Sequence, residues 1–266
     1  MTDPLDELRQ ALPAGYELVR PVSAGGQGAV FLGKKSGALV AIKLFEAPDA
    51  ERLRREVDLL VTISSRYLPA LLDFQLVQFK GRQFPMIAYE YIDGPDLRVF
   101  VSRPENLDGV QICTIGEHVG EALEVLWTHR IVHRDVKPAN IIAGRDGRYV
   151  LVDVGIAQHL DLSTITRGGQ PGTDGYRSPE QCGGRSRLTI HSDVFSLGTT
   201  IFEVASHRHP WDGDQARMLY DDPAQLGVLR TDLDRRLVAL VEEMLSRHPG
   251  RRPAKPGARF NSLRSG

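Results

Sequence analysis

With 266 residues, the chain can bury a core without disulfide or metal staples, which excludes the small cross-linked scaffolds. Its 33 Lys and Arg against 34 Asp and Glu leave a net charge of −1, so nothing draws it globally toward nucleic acid or an anionic membrane. A hydrophobic share of 41% with 25% charged residues is the composition of a chain that folds rather than of a disordered one.

The opening MTDPLDELRQAL carries acids where a signal peptide carries a basic patch and an apolar run. No later segment approaches the ~18 apolar residues of a membrane span, so a soluble, cytoplasmic protein is expected. From Tyr16 to about Tyr91 the chain is mostly short β-prone runs: YELVRPV, AVFLG, LVAIKLF, then FQLVQF and FPMIAYEYI on either side of Lys80-Gly81-Arg82. They predict a five-stranded antiparallel sheet. Between Ala50 and Ser64, Leu53, Val57, Leu60 and Val61 fall at helical spacing and predict one amphipathic helix on that sheet. Beyond Gly94 the period changes. Ile115, Val119, Leu123 and Leu126 mark one helix, Val194 to Ala205 a nearly all-apolar second, and Leu233, Leu237, Leu240, Val241 and Met244 a third. Turn-rich stretches separate them, the longest from Ser163 to Arg187. Cys113 and Cys182 lack the CxxC spacing of a redox or zinc motif and read as ordinary thiols in a reducing compartment.

Three segments could carry chemistry. Ser23-Ala-Gly25-Gly26-Gln-Gly28-Ala-Val30 lies between two predicted strands rather than a strand and a helix, which argues against a dinucleotide fingerprint. Glycines there would let backbone N–H groups close on phosphate oxygens, or would simply form a tight β-turn. Lys43, in Val40-Ala41-Ile42-Lys43, puts a charge amid an apolar strand, which is costly unless it is paired or at a cleft. Glu56 is a candidate partner; a place on the solvent face of an edge strand is the plain alternative. Third, His133-Arg134-Asp135-Val136-Lys137-Pro138-Ala139-Asn140 is followed by Leu151-Val152-Asp153-Val154-Gly155. Asp135 could accept a proton from a hydroxyl, Lys137 could neutralise a phosphoryl group, and Asn140 with Asp153 could offer oxygen ligands to Mg²⁺. Capping and turn roles remain open for each alone.

Taken in order, these segments resemble the protein kinase superfamily catalytic domain over roughly Tyr16 to Pro253, and more specifically its bacterial serine/threonine (Hanks-type) branch. The resemblance implies an α+β, bilobal protein-kinase-like fold: a small antiparallel β-sheet lobe with one helix, about 16–92, and a larger mainly α-helical lobe, about 96–266, in a single domain with an activation segment about 153–180. It implies ATP and Mg²⁺ or Mn²⁺ as cofactors, a protein substrate with Ser or Thr, and leaves open a homodimer for trans-autophosphorylation.

By the same resemblance, Gly25 and Gly28 cover the phosphates, Lys43 contacts the α- and β-phosphates, and Glu56 pairs with it. Asp135 is the catalytic-loop aspartate, Lys137 lies near the γ-phosphate, and Asn140 and Asp153 hold metal. Tyr89 falls at the gatekeeper, Glu90 to Ile92 at the adenine-binding hinge, and Asp96 at the ribose. Val22, Val30, Ala41 and Ile142 would sandwich the purine. Gly172-Thr173-Asp-Gly-Tyr176-Arg-Ser178-Pro179-Glu180 matches the end of an activation segment, Asp193 opens the buried central helix, and Arg252 pairs with Glu180. Arg134 marks the kinases in which a phosphate orders that segment, and Thr164 and Thr166 are the autophosphorylation candidates. Two substitutions depart from the pattern: Ser23 stands for the first glycine of the loop, and Val154 for the usual phenylalanine. After Arg252 only a weak last helix is expected. The competing classes are a pseudokinase acting as an ATP-binding scaffold and a small-molecule kinase of the antibiotic-phosphotransferase type.

Overall fold

The β-prone runs between Tyr16 and Tyr91 suit strands, whose successive side chains point to opposite faces. In the computed structural model, which describes residues 4–25, 28–45, 57–58, 60–103, 105–154, 175–183 and 188–264, they form β1 (Tyr16–Gly25), β2 (Gly28–Lys35), β3 (Ala38–Leu44), β4 (Leu71–Phe79) and β5 (Arg82–Glu90). All neighbours are antiparallel, in the order β1-β2-β3-β5-β4. The expected sheet is therefore present. Two compact units divide the chain; this sheet and its surroundings, residues 4–64 and 69–92 among those described, make one of them.

One face of the sheet presents Leu18, Phe31, Val40, Ile42, Leu44, Met86 and Ala88. The sequence reading assigned no element to the residues that cover it. Helix α1 (Pro4–Ala11) places Leu8 in that cluster, with Leu5 and Leu12 beside it. The opposite face carries Ile87 and Phe45 packed with Val57, and Leu60, Phe74 and Tyr89 at its border. Residues 57–58 and 60–61 are helical, as the 50–64 periodicity predicts.

The sheet's outer strands, β1 and β4, are joined by a side-chain clasp. Asp73 Oδ2 on β4 accepts from Tyr16 Oη on β1 at 2.7 Å, from Lys35 Nζ on β2 at 2.8 Å and from Gln75 Nε2 at 3.0 Å. Four interstrand spacings of about 4.8 Å would hold flat edges about 19 Å apart, beyond the reach of these side chains, so the sheet is strongly curled.

The second unit contains residues 65–68, 93–154 and 175–264 of those described. Its elements are α2 (Arg98–Val101), α3 (Gly109–Thr128), β6 (Ile141–Ala143), β7 (Tyr149–Leu151), α4 (Pro179–Cys182), α5 (Ile190–Ser206), α6 (Gln215–Tyr220), α7 (Leu226–Leu229), α8 (Arg235–Met244) and α9 (Pro256–Arg264). Helix α3 opens with a capping box between Asp108 and Gln111, and α5 with the Thr189 hydroxyl accepting from His191 N. Phe195, Leu197, Ile201 and Phe202 of α5 are fully buried, which explains an apolar run with no amphipathic stripe.

Two expectations need correction. Leu233 precedes α8 rather than opening it, because Asp234 supplies the N-cap. The last helix is firmly built: it starts at Pro256, and Phe260 is fully buried against α3. Gly116 and Gly120 permit that approach. A Cβ on Gly116 would lie 2.5 Å from the Phe260 ring, and one on Gly120 would lie 2.4 Å from Gly257 N. Glu124 Oε1 of α3 accepts from Gly257 N at 2.9 Å, capping α9 from a neighbouring helix. The amphipathic signal of α9 is weak because backbone proximity, not an apolar stripe, docks it. No helix among the described residues is long and apolar enough to cross a membrane.

Candidate active site

The octet 133–140 has no secondary structure to hold it until its last turn, the short 3₁₀ segment Pro138–Asn140. Side chains hold it instead. Asp193, in the first turn of α5, accepts from His133 N at 2.7 Å and Arg134 N at 2.8 Å. Burial pushes the Asp193 carboxyl up to about 7, opposed by the same two amides. Arg134 is left-handed, at φ 70°, a conformation that costs a side-chain-bearing residue about 1 kcal/mol or more. Both peptide groups that define it are tied down, since its carbonyl accepts from Gln181 Nε2 at 3.2 Å. His133 is fully buried, with Nε2 3.1 Å from Val152 O and Nδ1 3.4 Å from Asp135 N. These contacts put the ring proton on Nε2.

This frame presents Asp135. Lys137 Nζ reaches both carboxylate oxygens, at 3.0 and 2.8 Å. Asn140 Nδ2 donates to Asp135 Oδ2 at 2.9 Å and to Asp135 O at 2.8 Å. The carboxylate is thus buried and held between Lys137 and Asn140. Val152 N donates to Asn140 O at 2.8 Å, which sets the next residue, Asp153, beside the octet. Asp153 is left-handed as well, at φ 64°. Asn140 Oδ1 and the Asp153 carboxylate are hard oxygen donors of the kind a small divalent cation takes when water and phosphate complete its shell. Among the described residues no group of three or more His, Cys, Asp and Glu forms a self-sufficient metal site. Val154 is buried.

Asp96 stands beside the same loop. Its backbone forms a bridge with Ile142, and Leu97 N donates to both Pro138 O and Ile141 O at 3.0 Å. The Asp96 carboxylate receives Arg98 N at 2.9 Å, Nε at 3.0 Å and NH2 at 2.8 Å. Burial raises its pKa, but the Arg98 contacts outweigh that and hold it below the ordinary carboxylate value.

In the sheet unit, Ser23, Val30, Lys43 and Ile87 are cross-strand partners in succession, so they share one face. Lys43 is 7% exposed on β3, the middle strand, which excludes the solvent-facing edge position. Its neighbour Ile87 packs with Val57, the residue after Glu56. Ala41, opposite Tyr89, lies on the same face. Gly25 pairs with Gly28 at the hairpin end. Gly28 has φ 113°, and a Cβ there would lie 2.3 Å from Leu44 O, so no other residue fits without distortion. Val22 and Ser23 are exposed near that end. Glu90 N donates to Ala70 O at 2.8 Å, and Ile92 is buried at the last residue of the unit. Gly26, Glu56, Gly155, Gly172, Thr173, Thr164 and Thr166 lie outside the described residues.

The segment 175–183 is braced at almost every residue. Gln215 on α6 accepts from Gly175 N and donates to Arg177 O, both at 3.2 Å. Tyr176 hydrogen-bonds Glu203 of α5 and stands edge-on to His209. Ser178 and Gln181 form a capping box on α4. Arg252 grips Glu180 through both guanidinium nitrogens, at 2.7 and 3.0 Å, and stacks over Phe195 at 4.9 Å. The pairing expected of Arg252 and Glu180 is present. Gln181, Glu203 and Arg98 are contributors that the sequence reading missed; Gln181 directly follows Ser178-Pro179-Glu180, but its contact with Arg134 O exists only in the fold.

The protein kinase domain family matches residues 16–259. Among curated proteins, a probable serine/threonine-protein kinase PkwA of Thermomonospora curvata is 33% identical over 255 residues, covering 91% of this chain and 34% of its own length. The serine/threonine-protein kinase PknA of Corynebacterium glutamicum is 29% identical over 262 residues, 93% of this chain and 55% of that protein. This chain therefore spans only a third to about half of these relatives. The kinase domain of Mycobacterium tuberculosis PknI superposes with a TM-score of 0.73 at 25% identity, covering 96% of this chain and 98% of that one.

Proposed function

The chain belongs to the protein kinase family, and from that premise we propose that it transfers the γ-phosphoryl group of ATP to serine and threonine hydroxyls of protein substrates. The observation that carries the reading is the Asp135 carboxylate, gripped and oriented by Lys137 and Asn140 on a loop that Asp193 pins. Phosphoryl transfer asks a protein mainly for positioning and for neutralising charge. A divalent cation, Mg²⁺ or Mn²⁺, would be held by Asn140 Oδ1 and Asp153 and would neutralise the phosphate oxygens. The glycine hairpin would supply backbone N–H groups to phosphate, and Lys43 a fixed positive charge beside the α- and β-phosphates. Val22, Val30, Ala41 and Ile142 would contact the purine, and Glu90 and Ile92 its edge.

In the proposed step, the substrate hydroxyl oxygen bonds to the γ-phosphorus as the bond to the β–γ bridging oxygen breaks. Asp135 takes the hydroxyl proton, ADP leaves with the electron pair of the broken bond, and Lys137 faces the charge spread over the transferring oxygens. The braced segment 175–183 supports a peptide platform, which favours protein over small-molecule substrates. Thr164 and Thr166 are the proposed autophosphorylation sites, with Arg134 as phosphate partner. The cytoplasm is the proposed location, where ATP is abundant and the thiols of Cys113 and Cys182 stay reduced.

The test is incubation with Mg²⁺ and γ-labelled ATP beside a Lys43→Met variant. Label on the chain or on a basic protein that disappears in the variant supports transfer. Nucleotide binding without label in either protein would leave an ATP-binding scaffold instead.

A further inference from the structure

We propose that Arg98 sets how tightly the nucleoside end of ATP is held, by occupying the carboxylate that would otherwise take both ribose hydroxyls. The inference rests on the kinase reading, in which Asp96 meets the ribose. A carboxylate offers about four lone-pair directions. Here Oδ1 already accepts the Arg98 amide at 2.9 Å and Nε at 3.0 Å, and Oδ2 accepts NH2 at 2.8 Å. One direction remains, on Oδ2, for a sugar that presents two donors.

Asp96 cannot swing away to find more. Its bridge with Ile142 and the two bonds from Leu97 N fix its backbone to the loop that carries Asn140. Arg98 is the solvent-facing partner: its side chain is 70% exposed against 20% for Asp96. Solvent screening makes such an exposed pair weak enough for a ligand to compete with. The arrangement loosens a contact that ATP and ADP share. Binding energy common to substrate and product does nothing for the chemical step and slows departure of ADP. Arg98 thus acts as a positioning residue on Asp96, and it touches no reacting atom.

Arg98→Met isolates the effect, because it deletes the guanidinium, keeps an unbranched stem and leaves the backbone N–H that Asp96 caps. Affinities of the Mg²⁺ complexes of ATP, ADP, 2′-deoxy-ATP and 3′-deoxy-ATP are measured calorimetrically for the wild type and this variant. One regained charge-assisted hydrogen bond corresponds to about tenfold to a hundredfold in affinity. Arg98→Met should therefore tighten ATP and ADP by that same factor and leave at least one deoxynucleotide unchanged, widening the ribose discrimination. Arg98→Lys, with a single donor head, should fall between. A discrimination ratio unchanged in Arg98→Met, with phosphoryl transfer intact, overturns the role of Arg98 and leaves the kinase reading standing. Weaker ATP binding in Arg98→Met would show the guanidinium contacting nucleotide directly and overturns it as well. No nucleotide binding by the wild type removes both readings together.

Discussion

The glycine hairpin and the octet 133–140 are both irregular turns expected to face phosphate, yet different forces hold them. In the hairpin, backbone pairs with backbone from Tyr16 opposite Lys35 to Gly25 opposite Gly28, and the main demand on sequence is the absence of a Cβ at Gly28. In the octet no ladder exists. Side chains from α4 and α5 and from the octet itself secure peptide groups one by one: Asp193 takes two amides, Gln181 reaches a carbonyl, and Asn140 reaches both the carbonyl and the carboxylate of Asp135. A ladder tolerates many sequences, while a turn built of side chains tolerates few. Single polar substitutions should therefore be severe in the octet and mild along the hairpin, except at its glycines.

The largest effect is expected at Asp135. Asp135→Asn keeps the shape and the donors around it but removes the base, so phosphoryl transfer should drop about 10²- to 10⁴-fold while ATP affinity is preserved; steady-state kinetics beside nucleotide titration checks this. Next is Arg252→Met, which strands the Glu180 carboxylate that Arg252 holds below its ordinary pKa against burial. Removing one member of a buried pair costs about 3–5 kcal/mol, read as a lower denaturation midpoint with an unchanged m-value. On the hairpin side, Gly28→Ala should cost about 1–3 kcal/mol through its left-handed backbone and the Leu44 carbonyl, and should weaken ATP binding with it. Ser23→Gly, at an exposed position on the same hairpin, should change stability by less than about 1 kcal/mol. Equal losses at Ser23 and Gly28 would break the contrast drawn here.

A last expected effect is one of pH. His118 on α3 stacks on Tyr67 at 4.1 Å and accepts Tyr149 N at Nδ1. Burial first, then the charges of Arg264 and Arg66, depress its pKa to about 4. The folded state therefore disfavours the proton that the unfolded chain accepts near 6.5, so this contribution is complete above about pH 6.5 and declines as pH falls toward 4. Urea titrations of His118→Gln should show a shallower loss of stability across that window than the wild type.

The same contrast decides how much was legible in the sequence. The five strands were readable because β-prone runs such as LVAIKLF and FPMIAYEYI are short and bounded by turn residues such as Lys80-Gly81-Arg82, and α5 because its apolar run admits no other place than the interior. The polar octet stood out because Asp, Lys and Asn crowd into few positions between apolar pairs. What stayed hidden depends on partners distant in sequence. Helix α1 exists for the sheet face that Leu8 covers. Helix α9 exists for the notch at Gly116 and Gly120, and the occupied state of Asp96 follows from a fork two residues away that any exposed arginine could have pointed elsewhere. Lys43 is intermediate: its burial needed the strand order, which places β3 in the middle.

The clasp at Asp73 also bears on colloidal behaviour. A five-stranded antiparallel sheet has two borders whose unpaired N–H and C=O groups can recruit another chain. Here the outer strands β1 and β4 are drawn round to a shared carboxylate, so neither border is left long and flat. Three donors hold Asp73 against burial at a pKa of about 2, which keeps the clasp closed throughout the range in which proteins are ordinarily handled. Opening it by Asp73→Ala should expose both borders at once, and light scattering would register edge-to-edge association well before either unit melts.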